Sequence, residues 1–103
     1  MKYRKKPIVI EAFQMTLARR WNNSEWPDWL NVAWNRGPGV GGLFIDSDDP
    51  AGEQLVIGTL EGAHRVTLDD WIIRGVAGEL YPCKPDIFSV TYEPADQQES
   101  PSQ

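Results

Sequence analysis

Ile8-Val9-Ile10 and Ala12-Phe13 form an apolar run broken only by Glu11, the pattern of a strand covered on both faces. Pro7 cannot donate to a ladder and suits the start or edge of such a strand. A strand is therefore expected over 8–13, with Glu11 paired to Arg65 or Arg74. Residues 14–24 show no period and read as a loop. Trp29, Leu30, Ala33 and Trp34 then recur at helical spacing and give one apolar stripe. Pro27 fits the first helical position, and Trp26 before it is biased out of the α region. Asp28 and Arg36 complement the helix dipole at its two ends. Gly37-Pro38-Gly39 stops the helix after about two and a half turns.

Beyond the helix the period shortens. Leu43 to Asp46 reads as a short strand, followed by the acidic loop Ser47 to Gly52. Leu55 to Leu60 and His64 to Leu68 read as a hairpin around Glu61-Gly62. A two-residue loop sets Leu55, Ile57 and Thr59 opposite Leu68, Val66 and His64. A three-residue loop with a left-handed Gly62 sets Ile57 against Arg65 instead. The first register segregates apolar groups better and is the one expected. Gly75 to Gly78 reads as a four-residue loop pairing Arg74 with Glu79, Ile73 with Leu80, and Ile72 with Tyr81. Pro82 ends that pairing, residues 84–88 make one helical turn, and Val90 to Glu93 form a closing strand. The polar segment 95–103 reads as a mobile tail after a single domain over 1–94. The predicted fold class is α+β: a small, mainly antiparallel sheet of five to six strands, one helix packed on it, and a short C-terminal helical turn.

Composition supports a folded chain. Of the 103 residues, 41% are hydrophobic and 24% charged, as in ordinary globular proteins. No apolar run approaches the ~20 residues of a membrane span. Lys2, Arg4, Lys5 and Lys6 ahead of Ile8-Val9-Ile10 look like a secretory leader, but Glu11 interrupts the apolar segment too early. Cys83 is the only cysteine, so no internal disulfide forms and a cytoplasmic setting is expected. The net charge is −5, with four of the ten cations in the first six residues. The remainder carries six cations against fifteen acids, or −9, which disfavours general nucleic-acid binding.

Candidate chemistry is sparse. The run Gly37 to Gly42 has the composition of a phosphate loop but leaves a helix C-terminus, where the dipole has the wrong sign. It reads as a flexible connector. Asp46, Asp48 and Asp49 lack the spacing of a calcium loop. His64 and Cys83 are the only imidazole and thiol, and no spacing pairs them as a nucleophilic couple. Neither a metal, a cofactor nor a catalytic residue is expected. The five tryptophans are the compositional anomaly. Trp29 and Trp34 lie on the apolar stripe, whereas Trp21 and Trp26 stand at the helix entry and are candidates for an interface or a stacking surface. Tyr81, Lys84 and Asp86 surround two prolines that pre-set a recognition turn. With Arg65 and Arg74 they form the candidate ligand-binding set.

The string Asp70-Trp71-Ile72-Ile73-Arg74-Gly75, then Gly78 to Phe88, then Thr91-Tyr92-Glu93-Pro94, resembles a group of small proteins of tailed phages and prophages. Tyr3 to Ala12 and Leu60-Glu61-Gly62 are similar to the same group. It carries the PGDYG family label, named for a turn that here reads Leu68-Asp69-Asp70-Trp71-Ile72. Only Asp70 is retained strictly; Trp71 stands for another aromatic, and Asp69 replaces a glycine. The likeness covers roughly half the chain and implies an accessory phage protein in a host bacterial cell, with no catalytic residues to carry over. The expectation is a non-enzymatic interaction domain acting through self-association, as a homo-oligomer, or through a host protein. The alternative is a small-anion or nucleotide-signal binder, using Arg4, Lys6, Arg65, Arg74 and Lys84. A small enzyme ranks third.

Overall fold

A computed structural model of the chain describes residues 1–4 and 6–95, and these contain six short strands and three α-helices. The segment expected as a tail lies, from residue 96 onward, outside the described residues. The strands are β1 (Glu11–Gln14), β2 (Leu43–Ile45), β3 (Leu55–Thr59), β4 (Gly62–Val66), β5 (Trp71–Arg74) and β6 (Leu80–Cys83). They form two three-stranded antiparallel sheets, ordered β1-β5-β6 and β2-β3-β4, where one sheet was expected. Pro82 lies inside β6, opposite Ile72, rather than ending the pairing. A proline confines its strand to an edge, so the first sheet stops at β6. That strand packs against β3 and β4 without joining their ladder.

Both sheets turn one face inward. Phe13, Ile72 and Leu80 from the first meet Leu43, Leu55, Ile57 and Val66 from the second, with Met15, Leu30 and Ala33 completing the cluster. The helices are α1 (Leu17–Trp21), α2 (Asp28–Arg36) and α3 (Pro85–Thr91), with a 3-10 turn at Asn23–Glu25. Helix α2 buries Leu30 and Ala33 as its stripe requires, while Trp34 remains 39% exposed and meets Trp26 edge-on.

Several local expectations shift. Residues 14–24 are not a loop: Thr16 accepts from the Arg19 amide to cap α1, and Asn22 accepts from Ser24 to cap the 3-10 turn. The closing strand expected over Val90 to Glu93 does not form: α3 continues through Thr91 and Tyr92 caps it. Pro85 starts that helix, and Phe88 stacks on Trp71 at 4.0 Å, covering the outer face of the first sheet. In the β3–β4 hairpin the loop is Leu60-Glu61, pairing Thr59 with Gly62, Ile57 with His64 and Leu55 with Val66. Neither expected register holds. The favoured one is displaced by two residues, which preserves which side chains face inward.

In the β5–β6 hairpin the displacement is one residue. Arg74 faces Leu80, and Ile73 faces Tyr81. The Gly75 amide donates to Glu79 O, the Gly78 amide donates to Gly75 O, and Gly78 has φ +86°. This is a three-residue turn closed by a left-handed glycine. Closing one residue shorter than expected, the turn moves every β6 side chain to the opposite face from the expected one. The glycine-rich connector is also ordered onto the sheet. The Gly41 amide donates to Gly58 O and the Gly58 amide to Gly42 O, which extends the β2–β3 ladder by a bulge.

Candidate functional site

The five residues expected to bind a ligand do not converge. Arg65 lies on the outer face of the second sheet, across from Val56, in a hollow of about 410 Å³ that also presents Asp46 and Asp48. Arg74 and Lys84 flank opposite ends of the β5–β6 ladder, since Arg74 pairs with Leu80 and Trp71 with Cys83. Arg74 bonds Glu11 at 3.1 Å, which settles the partner of that carboxylate in favour of Arg74.

The Lys84 end is a structural clamp. Asp70 is 1% exposed, and its Oδ2 accepts from the Thr67 amide at 2.8 Å and the Thr67 hydroxyl at 3.0 Å. Lys84 Nζ stands 3.3 Å from both carboxylate oxygens. It donates to Oδ2, while its approach to Oδ1 is a Coulombic contact without hydrogen-bond geometry. The clamp closes a turn in which the Asp70 amide donates to Thr67 O and Asp69 takes φ +71°. Asp tolerates that conformation better than most residues. Lys84 is therefore engaged with the fold. Asp86 is exposed in the first turn of α3, suited to the helix dipole.

Tyr81 is held in place by Tyr92. Burial, then the hydrogen bond with Tyr92, pushes its phenol up to about 12. Burial and the Asp70 and Asp86 carboxylates raise the Cys83 thiol above its usual value, the opposite of what an activated nucleophile requires. Among the described residues no three His, Cys, Asp or Glu side chains are grouped to hold a metal ion.

The two tryptophans expected at an interface part company. Trp26 is 9% exposed, and its indole donates to Arg19 O at 2.7 Å; it is a core residue. Its period with the helix stripe was hidden because it precedes Pro27. Trp21 is 62% exposed and carries Arg20 over its ring at 4.5 Å.

Two features missed in the sequence stand out. The first is the outer edge of β1. Met15 donates to Asp70, so by alternation Ala12 and Gln14 direct their backbone groups away from β5. Gln14 O accepts from Arg19 Nη1 at 3.0 Å, which seals one end. Ahead of it the edge is open. Ile8 and Val9 are exposed, Val9 by 72%, although Ile8-Val9-Ile10 is as strand-like as any segment here. They lack a ladder because β5 ends at Arg74, opposite Glu11, where the chain turns at Gly75.

The second is a cleft of about 490 Å³ between α2 and the β5–β6 turn, with Trp29, Val32, Arg36, Arg74 and Gly78 among its lining residues. Trp29, Val32 and Arg36 follow at i, i+3 and i+7, a stripe adjacent to the one that fills the core. That spacing was the available signal. No helix among the described residues is long and apolar enough to cross a membrane. Searches against protein-family models, curated proteins and solved structures found no match to the chain.

Proposed function

We propose that the protein is a non-enzymatic interaction domain that pairs with a second copy of itself through the open edge of β1. The observation that carries this reading is the strand-forming Ile8-Val9-Ile10 segment, exposed and without a ladder beside an unpaired strand edge. Such an edge is a template for another chain. Two β1 segments placed antiparallel extend each three-stranded sheet into the other and bury Ile8 and Val9.

Charge favours the same partner. Antiparallel placement sets the basic residues of one copy's first segment beside Glu11 of the other, and the rest of each body is acidic. Residues 1–10 span up to ~33 Å when extended, enough contact length to contribute to an interface of roughly 800 Å² per partner. The resemblance to small tailed-phage and prophage proteins is in keeping with an accessory role of this kind, exerted by the dimer itself or on a host protein.

Light scattering coupled to size-exclusion chromatography tests the pairing. The wild type is expected to run as a dimer, and the double variant Ile8→Asp, Val9→Asp as a monomer with an unchanged circular-dichroism spectrum. Both residues lie outside the ladders, so the variant leaves the core intact. A wild type that stays monomeric up to millimolar concentration, or a variant that remains dimeric, overturns the reading.

A further inference from the structure

We infer that the cleft between α2 and the β5–β6 turn is a binding site for a small organic oxyanion that carries a planar ring, the nucleoside monophosphates being the simplest members of that class. This inference is independent of pairing through β1. Its volume of about 490 Å³ falls in the range of small-molecule sites. The composition of its lining points to the ligand. Arg36 and Arg74 both line it, and no acidic residue does, in a chain with fifteen acids against ten cations. A site of inverted sign on an acidic protein concentrates anions locally.

The two guanidinium groups differ in what already occupies them. Arg74 is held by Glu11 at 3.1 Å, which fixes its direction and offsets part of its charge. Arg36 makes no ion pair and no side-chain hydrogen bond among the described residues. Its guanidinium lies against Gly41, where a Cβ would stand 3.3 Å from Nη1. Gly41 has φ +84°, so the loop backbone leaves this space to the arginine. Glu79, the nearest acid on the turn, folds back to accept from the Ala77 amide at 3.0 Å. Arg36 offsets the α2 C-terminal dipole but has no acidic side-chain partner among the described residues, which leaves its fork open to phosphate or carboxylate.

The apolar part of the cleft suits a ring. Leu80 and Ala33 form a buried floor, and Trp29 packs partly against the core while lining the opening. A planar heterocycle stacks on such a ring with little dependence on its identity. The hollow at Arg65 is a weaker candidate, because Asp46 and Asp48 share it.

Thermal-shift measurements with adenosine and uridine 5′-monophosphates, against adenosine and inorganic phosphate alone, test the assignment. At about ten times Kd a nucleotide is expected to raise Tm by roughly 5–10 °C, with clearly smaller shifts from the two fragments. Arg36→Ala should weaken binding about ten- to hundredfold, and Arg65→Ala should leave it unchanged. In the NMR spectrum of the wild type the Trp29 indole resonance should move on titration. The inference is overturned by no shift at millimolar nucleotide, by inorganic phosphate alone matching the nucleotide, or by binding that survives Arg36→Ala with the Trp29 resonance unmoved. None of these outcomes depends on the oligomeric state of the protein.

Discussion

Asp70 is the buried charged residue among those described, and its carboxylate ties together a turn, a strand end and the start of α3. Its Oδ2 satisfies the Thr67 amide and hydroxyl and holds Lys84. Asp70→Ala should lower stability by about 2–3 kcal/mol, since charge-assisted hydrogen bonds from the Thr67 amide and hydroxyl and from Lys84 are lost together. Lys84→Met should cost about 1–3 kcal/mol, because it leaves the buried Asp70 carboxylate without its counter-charge. Urea denaturation at constant m-value checks both. Tyr81 gives a pH signature at the same end of the sheet. Its phenol is raised to about 12 by burial and by Tyr92, so the folded state keeps a proton that the unfolded chain releases near 10. The associated stability is complete below about pH 10 and is lost as the pH rises toward 12. An ultraviolet titration should find one late tyrosine, and Tyr92→Phe should bring it down. The left-handed backbone at Asp69 was suggested only by the resemblance, which puts a glycine at that position. The clamp itself was not legible, because Thr67, Asp70 and Lys84 meet only after β5 and β6 fold back on each other.

Elements were legible where period and breakers agreed. Helix α2 spans Asp28–Arg36, with Pro27 at its N-cap rather than at the first helical position expected for it, while the Leu30–Ala33 stripe and Gly37 mark the same segment. Toward the C-terminus the same reasoning found the helical turn at Pro85 to Phe88 but failed in placing a strand after it. Val90, Thr91 and Tyr92 have strand propensity, but the stack of Phe88 on Trp71 and its contact with Tyr92 at 5.0 Å hold the segment as a helix. Hairpin registers failed for a different reason. Turn length sets the pairing without changing local propensity, and the left-handed Gly78 closes the β5–β6 turn one residue shorter than expected. The glycine-rich connector shows how close backbones select glycine. A Cβ on Gly58 would collide with the Gly39 carbonyl, so Gly58→Ala should peel residues 37–42 from β3 and lower stability by about 1–3 kcal/mol. Loss of amide protection at Gly41 in hydrogen exchange would confirm that route; an unchanged exchange pattern would contradict it.

On the scale of the whole molecule, charge is distributed unevenly enough to predict behaviour in solution. A basic first segment on a body of net −9 should make the proposed dimer weaken as ionic strength rises, because exposed charges are screened beyond ~10 Å at 0.1 M salt. The buried contribution of Ile8 and Val9 should persist. Sedimentation across a salt series separates the two. A dimer indifferent to salt would assign the contact to apolar surface alone, and the charge argument would fail. The tryptophan excess, by contrast, is largely absorbed by the fold. Trp26 is buried, Trp29 packs on the core, Trp34 meets Trp26, and Trp71 stacks on Phe88, leaving Trp21 as the tryptophan most open to solvent.

Sequence alone determined the α+β class, the extent of α2, the presence of two hairpins and the need of Glu11 for a cation. Each follows from period, breaker residues or charge within a short stretch of chain. Tertiary structure decided that the strands divide into two sheets, that the edge of β1 lies open, and that Arg36 and Arg74 share a cleft. Those outcomes depend on where ladders stop and which stripes are left over after the core is filled. Such quantities arise only when segments distant in the chain compete for the same backbone partners.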